Sequence, residues 1–330
     1  MRSPLIFLFA LVMLLTSCHQ NRLQQLSGTC FGTMYHITYM GNEDKELPAR
    51  VDSLLAELNS TFSIFDTTSL ISRINAGSDS IINADFEKVL CCASEVAFQT
   101  GGAFDFTVQP LVELWGFGRN KKPQQVSPEQ LDSVRKFVNY NLVALRDSVL
   151  VRMDPRTQLN FNAIAKGYAV DKMAQFLLQQ GYENFIVEIG GEVVCAGNKD
   201  GQENGRPWIV GVQTPTADKE DAVKSSDVRF PLSGRAVATS GNYRNYFEKE
   251  GKRYTHILDP RTGTPEKTNL LSVTVLAPDC MAADAYATAF MVMGIEESMR
   301  FLAKHPDLDA YFIFDEKGQY QTACTHFFRE

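Results

Sequence analysis

Histidine is scarce in this 330-residue chain, with only five. Cysteine is present but unpatterned. Besides Cys18, the six thiols Cys30, Cys91, Cys92, Cys195, Cys280 and Cys324 show no CxxC pair and no zinc-like spacing, which argues against a structural zinc site. Basic residues are outnumbered: 32 Lys and Arg stand against 39 Asp and Glu, a formal net charge of −7, with no Lys/Arg run or stripe. A nucleic-acid partner needs such a footprint and is not expected. The glycine pair Gly190-Gly191 is not part of a GxGxxG run and no helix pattern follows it. A Rossmann dinucleotide site is therefore not supported. No internal repeat is visible. The apolar run Leu5 to Leu15 is too short for a transmembrane helix.

That run has another use. Met1-Arg2 places a positive charge before it, and Leu15-Thr16-Ser17-Cys18 closes it. The pattern reads as a bacterial lipoprotein signal, in which residues 1–17 are removed and Cys18 becomes the lipidated first residue. An ordinary signal peptide with an incidental cysteine is the alternative. Residues 18–27 are polar and are expected to form a tether, with residues 28–330 as the working domain. The predicted protein is exported, anchored to the inner membrane and facing the periplasm. Export permits disulfides, but the apolar surroundings of several cysteines favour buried thiols. About 300 mature residues can bury a large core, as one domain or two fused lobes.

The pattern is mixed α and β. Thr29 to Met40 alternates as a strand. Val51, Leu54, Leu55, Leu58 and Phe62 recur at helical spacing. Asn83 is placed to cap a helix through Phe98 that stops at Gly101-Gly102. Ser127-Pro128-Glu129-Gln130 is a capping-box start. Leu142 to Arg146 and Val149 to Met153 predict a hairpin around Asp147-Ser148. Ala163 to Gln180 predicts a helix ended by Gly181. Phe185 to Ile189, Val193 to Ala196, Trp208 to Gln213, Leu270 to Leu276 and Ala310 to Phe314 predict strands. Asp279 is a candidate cap for a helix ending near Gly294, and Glu296 to Lys304 predicts another. Thr216 to Asp227 is charged and is expected to be a surface loop. Strands that follow one another without helices favour an α+β fold with antiparallel or mixed sheets over a doubly wound one.

Chemistry-bearing residues crowd Thr239 to Thr288. Asp284 and Thr288 stand at i and i+4 and share one helix face. A carboxylate and a hydroxyl are hard oxygen ligands of the kind magnesium favours. The spacing leaves open that Asp284 is a solvated face residue and Thr288 merely packs. His256 lies near the end of a strand-like run, Arg253 to Leu258, before the turn Asp259-Pro260-Arg261-Thr262-Gly263. A histidine there suits general-base work, or is a satisfied structural residue. Ala163-Ile164-Ala165-Lys166-Gly167 opens a helix whose N-terminal amides and lysine suit phosphate; a surface lysine on a first turn is the alternative. Gly190-Gly191 lets backbone approach a phosphate or ring, or is simply a turn.

These motifs, in this order, resemble the ApbE family of flavin transferases. The likeness rests on GTMYHITY (Gly32 to Tyr39), FSIFDTTSLISRIN (Phe62 to Asn75), GGAFDFTVQPL (Gly101 to Leu111), FNAIAKGYAVDKMA (Phe161 to Ala174) and VEIGGEVVCAG (Val187 to Gly197). TSGNYRNY (Thr239 to Tyr246), THILDPRTG (Thr255 to Gly263) and AADAYATAF (Ala282 to Phe290) complete it. It covers nearly everything after the leader.

The resemblance implies an ApbE-like fold with a flavin cleft between two lobes. It implies magnesium held by Asp284, Thr288 and the backbone oxygen of Ala163. It implies FAD lined by Phe31, Phe65, Ala103, Phe104, Asp105, Asn160, Lys166 and Leu258, with His256 as catalytic base. Three positions depart from the pattern: Ala287 stands where some relatives carry another acid, Asn160 replaces a common Asp, and Phe65 replaces a common Tyr. The implied reaction moves FMN from FAD to a threonine hydroxyl of another protein and releases AMP. Implied acceptors are flavin-carrying subunits of Rnf and sodium-pumping NADH:quinone reductase complexes. Hydrolysis of FAD to FMN and AMP would use the same residues and stays open; storage of intact FAD by a non-enzymatic lipoprotein is a second alternative, against which Asp284, Thr288 and His256 together argue, since storage needs no base.

Overall fold

The computed structural model describes residues 22–119, 126–212, 228–242, 246–249, 252–255, 257–265 and 268–329. The leader, Cys18, the loop expected over Thr216 to Asp227 and His256 lie outside the described residues.

The first sheet edge is a hairpin. Arg22–Cys30 (β1) and Thr33–Gly41 (β2) pair antiparallel from Arg22↔Gly41 to Cys30↔Thr33. The turn is two residues, Phe31 at φ 49° and Gly32 at φ 74°, the positive-φ pair that a tight hairpin turn demands. Two expectations are corrected here. The strand expected over Thr29 to Met40 is two strands, because alternation continues unbroken across so short a turn. Residues 22–27, expected as tether, are paired strand. Their inner positions are Gln24 and Leu26, so the segment looks polar while still alternating.

Next comes a helical layer. Leu47–Phe62 (α1) buries Leu47, Val51, Leu55, Leu58 and Phe62, one face at helical spacing. Leu70–Ala76 (α2) follows. Ala84–Gln99 (α3) starts where Asn83 Oδ1 accepts the Phe86 N–H at 2.8 Å and ends before Gly101 and Gly102, both at positive φ. Cys91 is exposed on this helix, which corrects the expectation of a buried thiol there; its neighbour Leu90 takes the inner face. Cys195 and Cys280 are buried as expected. Gln109–Leu114 (α4) and Pro128–Arg135 (α5) form a smaller cluster, and Ser127 makes the predicted capping box with Gln130. Val143–Arg146 (β3) and Val149–Arg152 (β4) are the predicted hairpin, turned by Asp147 and Ser148 at positive φ.

Ala165–Gln179 (α6) leads into Phe185–Ile189 (β5) and Glu192–Ala196 (β6), joined by Gly190-Gly191. Trp208–Val212 (β7) and Val228–Leu232 (β8) form a separate ribbon. Ala236–Gly241 (β9), Tyr246–Lys249 (β10), Lys252–Thr255 (β11), Leu258–Asp259 (β12), Thr264–Pro265 (β13) and Leu270–Ala277 (β14) follow. Cys280–Leu302 (α7) is capped by Asp279, whose side chain accepts the Ala282 N–H at 2.8 Å. It breaks at Gly294 (φ 72°, ψ 176°), where the sequence predicted one helix to stop and another to start. Asp309–Glu316 (β15) and Gln319–Cys324 (β16) close the chain. Among the described residues no helix is long and apolar enough to cross a membrane.

Eight strands form the main sheet in the order β1-β2-β5-β6-β9-β14-β15-β16, all antiparallel. The expected α+β class with an antiparallel sheet and packed helices is what the chain adopts. One seam is weak. β6 pairs with β9 only at Val193↔Val237 and Val194↔Ala236, whereas β9 pairs with β14 from Ala236 to Gly241. The sheet therefore splits beyond Val237.

Helices α1, α3, α6 and α7 cover one face with the largest apolar core. Phe161 anchors the chain entering α6, its ring 5.1 Å from Phe86, 6.0 Å from Phe62 and 5.9 Å from Phe106. The β7–β8 ribbon covers the other face around Trp208, Phe230 and Tyr311.

Gly167 lets α6 meet α7. A Cβ placed there would lie 2.2 Å from the Cys280 carbonyl oxygen and 2.9 Å from Asp284 Cβ. Backbone cannot rotate away as a side chain can. A helical Gly→Ala change elsewhere stabilises by about 0.5–1 kcal/mol, but here overpacking of about 1–3 kcal/mol opposes it. Gly167→Ala is therefore expected to lower the urea unfolding midpoint; an unchanged or raised midpoint would contradict the close contact.

Candidate functional site

A cavity of about 560 Å³ opens where the sheet splits. Thr239, Ser240 and Gly241 of β9 form one wall, and Gly190, Gly191 and Glu192 at the β5–β6 turn form another. Val210 and Phe230 from the β7–β8 ribbon, and Val108, Val112 and Phe117 around α4, supply apolar sides. The floor is the start of α6 with Asp284 and Thr288 of α7. The cavity thus lies between the main layers and the small α4–α5 cluster, the cleft that two lobes would make. That cluster is tied on by Trp115 Nε1, which donates to the Gly263 carbonyl at 2.8 Å, and by Arg135, which donates to the Arg261 carbonyl at 2.7 Å. The Asp259 carboxylate folds the intervening turn by accepting the Arg261 N–H at 2.9 Å.

The floor follows from the Gly167 contact. Asp284 is 3 % exposed, so it is not the solvated face residue that its spacing allowed. Its Oδ2 accepts the Gly167 N–H at 3.1 Å. In an uninterrupted helix that N–H would bond the carbonyl four residues back, which belongs to Ala163. Here Gly167 is in the first turn, whose amides have no carbonyl inside the helix, and Ala163, just ahead of the Ile164 cap, lines the cavity. Thr288 stands one turn on from Asp284, and its Oγ1 lies 3.0 Å from Ser240 Oγ.

Charge is concentrated at this floor. Lys166 Nζ hydrogen-bonds the Glu192 carboxylate and stands 3.8 Å from Asp284 Oδ1. Burial pushes both carboxyls up, and the lysine beside them pulls both back down. Burial alone would lower Lys166, but the Asp284 and Glu192 carboxylates outweigh it and hold the ammonium above the usual lysine range. Among the described residues, these two carboxyls lie around one ammonium. Glu192 Oε2 is buried without a hydrogen-bond partner.

This donor set fits magnesium. A carboxylate, a hydroxyl and a backbone carbonyl are hard oxygens. Among the described residues no three His, Cys, Asp or Glu side chains form a metal-binding group. Such a sparse set suits a cation that completes its coordination with a ligand's phosphates.

Seven residues expected at the site line one cavity: Ala103, Asn160, Ala163, Lys166, Leu258, Asp284 and Thr288. Asn160 is fixed there by a 2.7 Å bond from its Nδ2 to Gln109 Oε1. The other expected flavin contacts are not among the lining residues. Asp105 faces a second, more open depression with Gly102, Tyr140 and Arg261, which meets the first at Pro260. Its carboxylate accepts from Thr107 N (2.7 Å) and Tyr140 N (2.9 Å). Burial raises the Asp105 carboxyl and those bonds restrain it. Phe104 is buried, Phe31 sits at the β1–β2 turn, and Phe65 is 56 % exposed. His256 itself is outside the described residues, but Ile257 and Leu258 after it line the cavity.

Sequence reasoning missed Glu192, Ser240 and Gly167. Each lies inside a quoted motif, and each acts through a partner far along the chain. Thr288 Oγ1 and Ser240 Oγ share one hydrogen bond; if Thr288 held a metal, Ser240 would be placed to accept its proton. Ser240→Ala is expected to weaken magnesium binding about tenfold while leaving the unfolding midpoint near that of the parent. Calorimetric titration of magnesium in the presence of FAD checks this; unchanged affinity would contradict it.

A model of the ApbE family matches residues 31–312. The chain is 38 % identical to a protein named FAD:protein FMN transferase from Vibrio cholerae, over 91 % of this chain and 90 % of that one. It is 33 % identical to one of the same name from Haemophilus influenzae, over 97 % and 95 %. Among solved structures, the flavin transferase ApbE from Vibrio cholerae superposes with a TM-score of 0.82 at 33 % identity, covering 94 % of this chain and 99 % of that one. The apo form of the Pseudomonas stutzeri flavinyl transferase ApbE gives 0.83 at 29 % identity, covering 95 % and 98 %. The match runs from the β1–β2 turn through β15 and takes in the whole floor of the cavity: the chain belongs to the ApbE family.

Proposed function

We propose that this protein moves FMN from FAD to a threonine hydroxyl of an acceptor protein, with magnesium as cofactor and AMP as the leaving product. The observation that carries the reading is the buried Asp284, fixed by the Gly167 N–H beside a carbonyl and a hydroxyl, and paired among the described residues with one shared lysine. The names of the relatives support the flavin part of it.

Asp284, Thr288 and the Ala163 carbonyl would hold the metal. Magnesium, when bound, neutralises charge on the diphosphate. The amides opening α6 and the Lys166 ammonium add positive potential at the same end of the cavity. Val210, Phe230 and Ile257 exclude water from it. The threonine oxygen attacks the FMN phosphorus, the bond from that phosphorus to the bridging oxygen breaks, and AMP leaves with that oxygen. His256 takes the threonine proton. Little covalent chemistry is asked of the protein, so positioning and electrostatics supply most of the rate.

The acceptors we propose are flavin-carrying subunits of Rnf and sodium-pumping NADH:quinone reductase complexes. The sequence resemblance supports them, and so does the leader, since a lipid on Cys18 would keep the enzyme beside a membrane complex on the periplasmic side.

Co-expression with such a subunit, followed by mass spectrometry, is expected to find FMN covalently bound to a threonine. AMP release that ignores the acceptor would instead mean hydrolysis, and intact FAD after long incubation would mean storage. Asp284→Ala is expected to abolish labelling in a protein that still unfolds cooperatively; full labelling would rule out its metal role. His256→Ala is expected to slow transfer more than it weakens FAD binding, and equal losses would point to a binding role. Cys18→Ala is expected to shift the protein from the membrane to the soluble fraction, and retention on the membrane would defeat the anchor.

A further inference from the structure

Lys166 lies between two buried carboxylates but is not shared equally. Its Nζ hydrogen-bonds Glu192 Oε1. It stands 3.8 Å from Asp284 Oδ1, beyond hydrogen-bond reach. Asp284 Oδ2 is already engaged by the Gly167 N–H at 3.1 Å. Oδ1 meets the ammonium only as a longer ion pair, while the short hydrogen bond of Lys166 goes to Glu192.

Glu192 supplies the reason. It is the first residue of β6, directly after the Gly190-Gly191 turn, and is 1 % exposed. The half-buried Lys166 ammonium, facing the cavity, is held by a charge-assisted hydrogen bond to a counter-charge. Were Glu192 neutral and weaker as an acceptor, the nearest alternative for Lys166 would be Asp284 Oδ1. Closing that gap would put a resident cation on the oxygen a divalent ion requires. Glu192 does not serve packing alone, since its Oε2 is buried without a hydrogen-bond partner.

We propose that Glu192 is a positioning residue that holds the Lys166 ammonium off Asp284 and so keeps the metal cradle open. This rests on the reading of Asp284, Thr288 and the Ala163 carbonyl as that cradle. Glu192 acts through Lys166, and the coupling between the two residues is the signature. A direct ligand would act without Lys166.

The test is a double-mutant cycle on the full folded domain without FAD, read by Mn²⁺ titration with electron paramagnetic resonance. E192Q is expected to weaken Mn²⁺ binding about tenfold or more, in the range typical of residues that orient a metal ligand. K166M is expected to bind Mn²⁺ at least as well as the parent. In the K166M background, E192Q is expected to change nothing further. That double variant also removes the unpaired charge, so it stays informative if E192Q alone folds poorly. An equal loss from E192Q with and without Lys166 would make Glu192 a direct ligand and overturn the proposal, as would no loss in either background. D284N serves as the control for the cradle: its loss of Mn²⁺ binding is expected, and parental binding by D284N would defeat the cradle reading and the proposal with it.

Discussion

The contact at Gly167 is the constraint from which the site follows. Two helices approach so closely that no Cβ fits between them. The approach brings Asp284 of α7 under the first turn of α6, where helix amides lack internal partners. One of those amides, that of Gly167, goes to the Asp284 carboxylate. Two consequences come at once. A buried carboxylate gains a donor that holds it in place, and the Ala163 carbonyl, just ahead of the helix, is brought to the same cavity. Packing, helix-end chemistry and ligand presentation are the same event here.

The sheet makes the complementary contribution. β6 and β9 are neighbours for only two residue pairs, and the divergence after Val237 opens space inside what would otherwise be a continuous layer. Side chains that would have been core become walls. Thr239 and Ser240 stay paired with β14 but have no β6 partner and line the cavity, where Ser240 meets Thr288. The aromatic group of Phe62, Phe86, Phe106 and Phe161 keeps the segment entering α6 rigid, so the floor is set by the core and not by a loop. Rigid placement of hard oxygens in a partly desolvated cleft is what electrostatic catalysis requires.

Local signals were legible in the sequence and non-local ones were not. The caps at Asn83 and Asp279, the capping box at Ser127, the turn at Asp147-Ser148 and the break at Gly294 each depend on residues within a few positions, and each is where the pattern placed it. The β1–β2 hairpin was lost because its turn keeps the alternation in phase, and the tether expected at residues 22–27 was lost with it. Asp284 and Thr288 were readable as a pair from i, i+4 spacing, but the burial of Asp284 was not, since it depends on α6 packing over it. Glu192 carried no signal of its own. An acid after two glycines looks like any turn residue until Lys166, on the preceding helix, is seen to bind it. The exposure of Phe65 and the placement of Asp105 in the adjoining depression also depend on tertiary packing, which no motif records.

The central claim is that a divalent cation belongs at Asp284, beside the end of α6. Anomalous scattering from crystals grown with FAD and manganese tests it without reference to turnover. The account predicts a peak about 2.1 Å from Asp284 Oδ1, a distance proper to a small hard cation, with the Thr288 hydroxyl, the Ala163 carbonyl and a diphosphate oxygen around it. A peak elsewhere in the cleft, with Lys166 bonded to Asp284 Oδ1 in its place, would contradict it.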